Sequence, residues 1–407
     1  MKTADPELMR AINRFHVLDT IRRTGAISRV EIGARTQLSA TTISAITASL
    51  LDDELITPHH EGDIRAENGS NRGRPRVMLT LNASAARVVG AKIATNGLVF
   101  VVTDFQGDIL TRLTLPVRVD RLPLPVFADL VEDGVRRCVL DAGLSLADIT
   151  SVALAVPGIV EHGSGQVRTS ALFRDPDVPL ASFITERLGL TAIAESHANA
   201  VTMAQHWFGR ARDCDDFVLV SVEDTLGLGV MHGGQLFRGA RELSLDLGHM
   251  MMGVSTAQSE RLADIAGENA ILDGEHADMR LREAMRVGRG MSHVRRLLAA
   301  GDDGFAAAAS RAGEALGIAI ANLAGLFAPP RVILVGSSLA LGADLIEPLQ
   351  ASFARALTEP LRGVTEIVID EAGDEVWARG AAAVALSELY GSPWSTTGPV
   401  ERQIPVL

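Results

Sequence analysis

Residues 28–54 read SRVEIGARTQLSATTISAITASLLDDE. Ser28 is a good N-cap with Glu31 as its capping-box partner, so a short helix is expected from about Arg29 to Thr36. Leu38 and Ser39 make the turn, and Ser39 caps a further helix. In that helix Ile43, Ile46, Leu50 and Leu51 form a buried stripe, leaving Thr41, Thr42, Ser44 and Thr47 on or near the outer face. Upstream, LMRAINRFHVLDTIRRT (residues 8–24) sets Met9, Ile12, Phe15, Val17, Leu18 and Ile21 mostly at helical spacing. Arg10, Arg14, Arg22 and Arg23 fall largely elsewhere, and Gly25 ends the helix. Three helices joined by so short a turn describe a helix-turn-helix, whose last helix enters the major groove by its N-terminal residues.

The same three-helix pattern is also a common packing unit, and the segment after the third helix decides between the two. Leu55-Ile56-Thr57-Pro58 gives way to a polar, glycine-containing stretch, and then Arg74-Pro75-Arg76-Val77-Met78-Leu79-Thr80-Leu81 alternates like a strand. Strand, polar tip and strand make a wing, with Arg72, Arg74 and Arg76 placed for phosphates or the minor groove. Expected DNA contacts are Arg29, Ser39, Thr41, Thr42, Ser44, Arg72, Arg74 and Arg76. Short hydroxyl side chains suit base edges and phosphates alike.

Charge distribution agrees. Residues 1–82 hold 11 Lys/Arg and 10 Asp/Glu, a net of +1, whereas the whole 407-residue chain is −12 and the remainder therefore −13. An acidic body repels phosphate, so any DNA contact belongs to the first segment. The chain is 47% hydrophobic, with no run of about 18 apolar residues and no signal-peptide pattern, which predicts a cytoplasmic protein with no membrane partner. Two cysteines, Cys138 and Cys214, give neither a disulfide framework nor a metal cluster.

Beyond residue 82 the pattern is mixed α/β. ARVVGAKI (86–93) and GLVFVVTD (97–104) read as strands around a turn, followed by the strand ILTRLTLPV. A helix over 125–142, a buried strand 152–156 ending in Pro157-Gly158, a helix near 179–188 and a strand 191–194 come next. FVLVSV (217–222), GLGVMHGGQLFRG (227–239) and RVILVGSS (331–338) supply later strands. Strand-to-loop switch points of this kind are where ligands bind.

The order of the motifs ALAVPG (153–158), ESHANA (195–200), GLGVMHGGQLFRG (227–239), DLGH (246–249) and Gly336-Ser337-Ser338 resembles the ROK family of repressors, open reading frames and kinases. RGRPRVMLTLN resembles the wing of its repressor branch. The resemblance implies a winged helix-turn-helix on a two-lobed actin-like, ribonuclease-H-like ATPase (sugar kinase) fold. It implies a DNA-binding domain over 1–82 and a first lobe over 83–194 completed by a C-terminal helix near 377–392. A second lobe over 195–376 would bind effector and oligomerise, and 393–407 would be a tail.

The departures fall at chemistry. The first hairpin, Ala94-Thr95-Asn96-Gly97, has neither the family's phosphate-orienting Asp nor its Gly-x-Thr loop. Ser196 and His197 stand where the family has Asn and its catalytic Asp. His249 remains, but no cysteine follows it, and one histidine does not make a zinc site. Arg261-Leu262-Ala263 falls where the family has Cys-Leu-Glu. No catalytic residue, metal, ATP or magnesium is therefore expected, and the chain is read as a non-enzyme; a ROK-type carbohydrate kinase with an accessory N-terminal domain is the alternative. Carried over residue by residue, the resemblance makes Ser196, His197, Asn199, Asp246 and His249 the contacts of a small sugar-like effector between the lobes. Its expected partners are a palindromic operator in double-stranded DNA, that effector, and a second or further copy of the chain as homodimer or homotetramer. His59 and His60 are read as solvated wing residues, Met250-Met251-Met252 as core, and Cys138 as packing.

Overall fold

The computed structural model describes residues 6–59, 77–239, 241–253, 259–272, 281, 284, 290–371 and 373–391. The chain opens with α1 (Pro6–Thr24), β1 (Ile27–Ser28), α2 (Arg29–Thr36), α3 (Ala40–Asp52), β2 (Ile56–His59) and β3 (Met78–Leu81). Gly25 takes φ +82° and ends α1. Ser28 and Glu31 cap α2 reciprocally: Ser28 Oγ accepts from Glu31 N at 3.3 Å, and Ser28 N donates to Glu31 Oε2 at 3.0 Å. Gln37, at φ 57°, ends α2, and Ser39 Oγ accepts from Thr42 N at 3.1 Å to start α3. The helix-turn-helix therefore stands where its caps put it. β3 pairs antiparallel with both β1 and β2, giving the order β1-β3-β2. The wing expected from sequence thus has both its stems; Arg72, Arg74, Arg76 and His60 lie outside the described residues.

A first five-stranded sheet follows, built from β4 (Val88–Ala94), β5 (Gly97–Thr103), β6 (Ile109–Leu115) and, after α4 (Leu124–Asp141), β7 (Ser151–Val156). The hairpin β8 (Ile159–Glu161) and β9 (Gln166–Thr169) and helix α5 (Leu180–Leu188) lead to the fifth strand, β10 (Thr191–Ser196). Its order is β10-β7-β4-β5-β6, with β4-β7-β10 parallel and β4-β5-β6 antiparallel. Helix α6 (His197–Phe208) then crosses to a second sheet of β11 (Phe217–Val222), β12 (Leu226–His232) and β13 (Gln235–Leu236). Short strands β14 (Met251–Met252) and β15 (Glu260–Arg261) precede α7 (Leu262–Ala266), α8 (Glu268–Leu272), α9 (Gly290–Ala299) and α10 (Asp303–Phe327). The second sheet is completed by β16 (Arg331–Val335) and, after α11 (Ala343–Ala356), by β17 (Glu366–Asp370), in the order β13-β12-β11-β16-β17. Helix α12 (Glu375–Leu389) returns to the first sheet.

Three apolar cores hold these layers. One lies between α4, α5 and one face of the first sheet, with Phe100, Phe127 and Val152 among its buried residues. A second lies between the other sheet, α10 and α11. The third is shared: Val17, Leu18 and Ile21 of α1 belong to one buried cluster with Met203 and Trp207 of α6 and Ala382 of α12. Helix α6 is buried from His197 through Trp207, all round, as a helix between two sheets must be. Small residues permit this: a Cβ on Gly380 would overlap the Ala200 carbonyl oxygen, and Cβ atoms on Gly227 and Gly229 would overlap Ala198 and Thr202.

Three sequence expectations change. Thr47 is fully buried and accepts a hydrogen bond from Arg29 Nε at 2.9 Å, because its position on α3 faces α2. Met251 is 54% exposed, since β14 and β15 form only a two-stranded ribbon; Met250 and Met252 do pack on the second core. Arg22, expected off the apolar face of α1, is buried over the Trp207 ring. Cys138 is buried as packing, which pushes its thiol up to about 11. Among the described residues no helix is long and apolar enough to cross a membrane.

Candidate functional site

The hydroxyl residues that sequence reading assigns to DNA lie on the N-terminal half of α3. Ser39, Thr41 and Ser44 are exposed there, and Thr42 is half-buried. Ser39 Oγ and Thr42 Oγ1 are hydrogen-bonded at 2.8 Å, and Ser44 Oγ donates to Ala40 O at 2.8 Å. These local bonds hold the hydroxyls in fixed rotamers on the outer face. Arg29 is partly committed elsewhere, because its bond to Thr47 braces α2 on α3.

The cleft between the two sheets is organised by the N-terminus of α6. Ser196 ends β10 and caps α6, its Oγ accepting from Asn199 N at 3.2 Å. His197 is the next residue, and its Nε2–H donates to Ile93 O at 3.0 Å on β4. Its other nitrogen lies 3.9 Å from Glu223 Oε2, just past β11. Burial first, and then the positive charge of Lys92, lower the His197 pKa to about 3. The ring is therefore neutral at working pH and a poor proton acceptor.

Lys92 is the unexpected occupant of this cleft. It is a charge in the middle of the apolar strand β4, and only 4% exposed. Its Nζ lies 2.9 Å from Glu223 Oε1, 2.9 Å from Asp374 Oδ1 and 4.1 Å from the centre of the Trp377 ring. Burial opposes its charge, but Glu223 and Asp374 more than offset that and raise its pKa. Nearby, Thr95 Oγ1 donates to Asp224 Oδ2 at 3.1 Å, tying the first hairpin to the second sheet. Ser337 Oγ donates to Glu268 Oε2 at 2.9 Å, and burial together with Asp224 raises Glu268 to about 7. A cavity of about 590 Å³ adjoins this cluster, with Glu223, Asp344, Glu371, Asp374 and Arg295 among its charged walls and Gly336-Ser337 at its edge.

A second buried cluster supports Ser196 from behind. The Glu195 carboxylate is fully buried; it accepts from Ser196 N at 2.9 Å, Asn199 Nδ2 at 2.8 Å and Arg238 Nε at 2.9 Å. His162 Nδ1 lies 3.1 Å from Glu195, and its Nε2 lies 3.3 Å from Glu388. Burial works against ionised Glu195, but Arg238 and His162 overcome it and lower its pKa. Burial and Arg238 oppose a charged His162, yet Glu195 and Glu388 prevail and raise it to about 9.

Asp246 and His249 lie on an exposed loop. Asp246 Oδ1 accepts from His249 N at 3.2 Å, and its other oxygen lies 2.6 Å from His249 Nδ1. Ala263 N donates to Gly248 O at 3.0 Å, so Arg261-Leu262-Ala263 does return beside this loop. Among the described residues no group of three or more His, Cys, Asp or Glu could hold a metal ion.

The structure thus brings together Ser196, His197 and Asn199 at the end of one strand and pairs Asp246 with His249 on a separate loop. Sequence reading passed over Lys92, Glu195, His162, Arg238, Glu223 and Asp374. Two carried a local signal: Lys92 interrupts VVGAKIA, and Glu195 ends the apolar strand TAIA. The others acquire meaning only through contacts of long sequence separation.

His197 gives a pH-dependent signature. Its folded pKa of about 3 lies below the ordinary unfolded value of about 6.5, so the unfolded chain binds the extra proton. The group costs nothing above about pH 6.5 and destabilises the fold progressively as pH falls towards 3. Thermal unfolding is expected to lose about 2 kcal/mol of stability from this residue between pH 6.5 and 5. His197→Asn flattens that slope; an unchanged slope refutes the neutral buried ring.

A capped helix-turn-helix with a strand hairpin, carried on two five-stranded sheets around a central helix, defines a DNA-binding module joined to a sugar-kinase-like body. The chain belongs to the ROK family, whose model matches residues 88–388. It is similar to the putative xylose repressor of Caldicellulosiruptor sp., 25% identical over 406 residues and covering 95% of this chain and 98% of the relative. A solved ROK family transcriptional regulator, a homologue of the Escherichia coli Mlc protein, superposes with TM-score 0.74 at 21% identity, covering 94% of this chain and 98% of that one. A ROK family glucokinase from Streptomyces griseus, solved with glucose and AMPPNP, superposes with TM-score 0.61 at 20% identity over 74% of this chain and 99% of that one. The actin-like fold expected from sequence is therefore present, and the glucokinase match leaves about a quarter of this chain uncovered.

Proposed function

We propose that the chain is a DNA-binding transcriptional repressor of carbohydrate uptake or metabolism genes, released or engaged by a small sugar-like effector, with no kinase activity of its own. The observation that carries this reading is Lys92. At the hairpin where the family resemblance calls for a phosphate-orienting carboxylate, the cleft holds an ammonium bound by Glu223 and Asp374. Phosphoryl transfer needs a metal held by carboxylates, a cradle for the phosphates and a base. Here the carboxylates are occupied by Lys92, the base position is a neutral histidine, and acidic walls line the adjoining cavity.

The repressor name of the Caldicellulosiruptor relative, matched over nearly its full length, supports the DNA-binding reading. In it residues 1–82 form the DNA-binding domain, residues 83–194 with α12 the first lobe, and 195–376 the second. Ser39, Thr41, Thr42 and Ser44 read the half-site from α3, with Arg29 bracing the helix pair, and Arg72, Arg74 and Arg76 grip the backbone. Ser196, His197, Asn199, Asp246 and His249 frame the effector, with Asn199 acting through Glu195. Two copies place two modules on a palindromic operator.

A gel-shift on the gene's own upstream region tests this directly. Thr41→Ala with Ser44→Ala is expected to weaken operator binding about tenfold or more, at one to three kcal/mol per base contact, without lowering stability. Titration with D-xylose, D-glucose and N-acetylglucosamine then asks which sugar changes the shift. ATP-dependent phosphorylation of the same sugars is expected to be absent; steady turnover would replace the repressor reading by that of a kinase with an accessory domain.

A further inference from the structure

We propose that α6 and α12 form a rigid strut that carries the state of the interlobe cleft to the DNA-facing helices, through a joint of Trp207, Tyr390 and Arg22. This rests on the reading of the cleft as the effector site, and extends it to how the two sites communicate.

Both helices begin at the cleft and end at the N-terminal module. At the cleft end, α6 starts with Ser196 and His197, the latter facing Glu223, and α12 starts beside Asp374, which holds Lys92. At the far end, the rings of Trp207 and Tyr390 lie 5.1 Å apart, and the Arg22 guanidinium stacks 4.3 Å from the Trp207 ring. Tyr390 is anchored in turn, its hydroxyl donating to Phe105 O at 2.9 Å. Arg212 Nη2 donates to the backbone carbonyls of Arg22 and Arg23 at 3.3 and 3.0 Å, and Arg23 Nη2 lies 2.9 Å from His206 Nε2. Twelve helical residues span about 18 Å, which is the distance the signal has to cross.

The strut has no slack to absorb a displacement. Gly380 lets α12 close on the Ala200 carbonyl, and on the opposite side Gly227 and Gly229 of β12 seat Ala198 and Thr202. One helix is thus clasped between α12, which packs on the first sheet, and β12 of the second. When the lobes change their closure, β12 and Glu223 move relative to β4, and a close-packed helix between them shifts as a body, because packed interiors transmit strain and do not deform smoothly. Beyond the joint, α1 packs on α2 and α3. Arg14 of α1 donates to Ser49 Oγ at 2.8 Å and pairs with Asp53, so movement of α1 reaches the recognition helix.

The test uses hydrogen exchange on the full chain. Asp374→Asn loosens the cleft end of the strut while keeping its volume. It is expected to speed amide exchange about threefold to tenfold both in β4 and in residues 15–24 of α1. In an Arg22→Met background β4 keeps that response, and α1 falls below about twofold. A response in β4 with none in α1 overturns the strut, as does an equal α1 response in both backgrounds. Lys92→Met, read by the same outcomes, replaces Asp374→Asn where the milder change leaves β4 unmoved. Neither DNA nor sugar enters the measurement, so a negative result leaves the repressor reading standing. Wild-type protein that binds no operator sinks that reading alone.

Discussion

Gly380→Ala is expected to destabilise the protein by about 3 kcal/mol or more, although alanine is the better helix former by about 1 kcal/mol. The added Cβ would overlap the Ala200 carbonyl oxygen and press on Ala204, where α12 and α6 meet backbone to backbone. Relief requires separating two helices that β4 and β12 hold from either side, since Gly90 of β4 lets α12 approach as closely. The melting temperature should fall by about 3–4 °C or more for a protein of this size. Gly325→Ala is the control. Gly325 also lies inside a helix, near the end of α10, but nothing stands within 4 Å of its Cβ. There the propensity alone acts, and stability should rise by about 0.5–1 kcal/mol. If Gly380→Ala left the melting temperature unchanged or raised it as Gly325→Ala should, the close approach of α6 and α12 would be wrong.

The second large effect concerns Glu195. Glu195→Gln keeps the side-chain volume but removes the charge that faces Arg238 and His162 inside the protein. Breaking a buried ion pair from one side costs about 3–5 kcal/mol, because the partners are left uncompensated. The variant should also change the alkaline limb of stability. His162 has a folded pKa of about 9, above its unfolded value of about 6.5. Its contribution is fully present below about pH 6.5 and is lost as pH rises through 9. Without Glu195 the folded pKa falls back, so calorimetry from pH 6 to 9.5 should show a flatter decline than in the wild type. An equally steep decline would assign the alkaline loss to other groups.

These effects mark the boundary of what the sequence discloses. The N-terminal module was legible nearly to the residue, because caps and glycine stops act locally: Ser28 with Glu31, Ser39, and Gly25 at φ +82°. The parallel strands were legible as apolar runs, and the motif order then supplied the two-lobed fold. The site was only half legible. ESHANA singled out Ser196 and His197 as candidates, and DLGH singled out Asp246 and His249. That Asp246 and His249 pair with one another on an exposed loop could not be read from spacing. Nor could Lys92 meeting Asp374, a contact between residues 282 positions apart. Thr47 illustrates a smaller limit. Helical spacing put it near the outer face, and only the position of α2 turns it inward.

The buried cluster shared by α1, α6 and α12 bears on how such proteins are re-engineered. A head of this kind is not a cassette. Cutting after residue 82 would strip Val17, Leu18 and Ile21 of their neighbours and leave Trp207 and Tyr390 wet on the remaining body. Hybrid proteins that graft a foreign head onto this body will need Arg22, Arg23 and their apolar surroundings transplanted as part of the head. Exchanging only α2, α3 and the hairpin, with α1 kept native, is the cut that respects the seam.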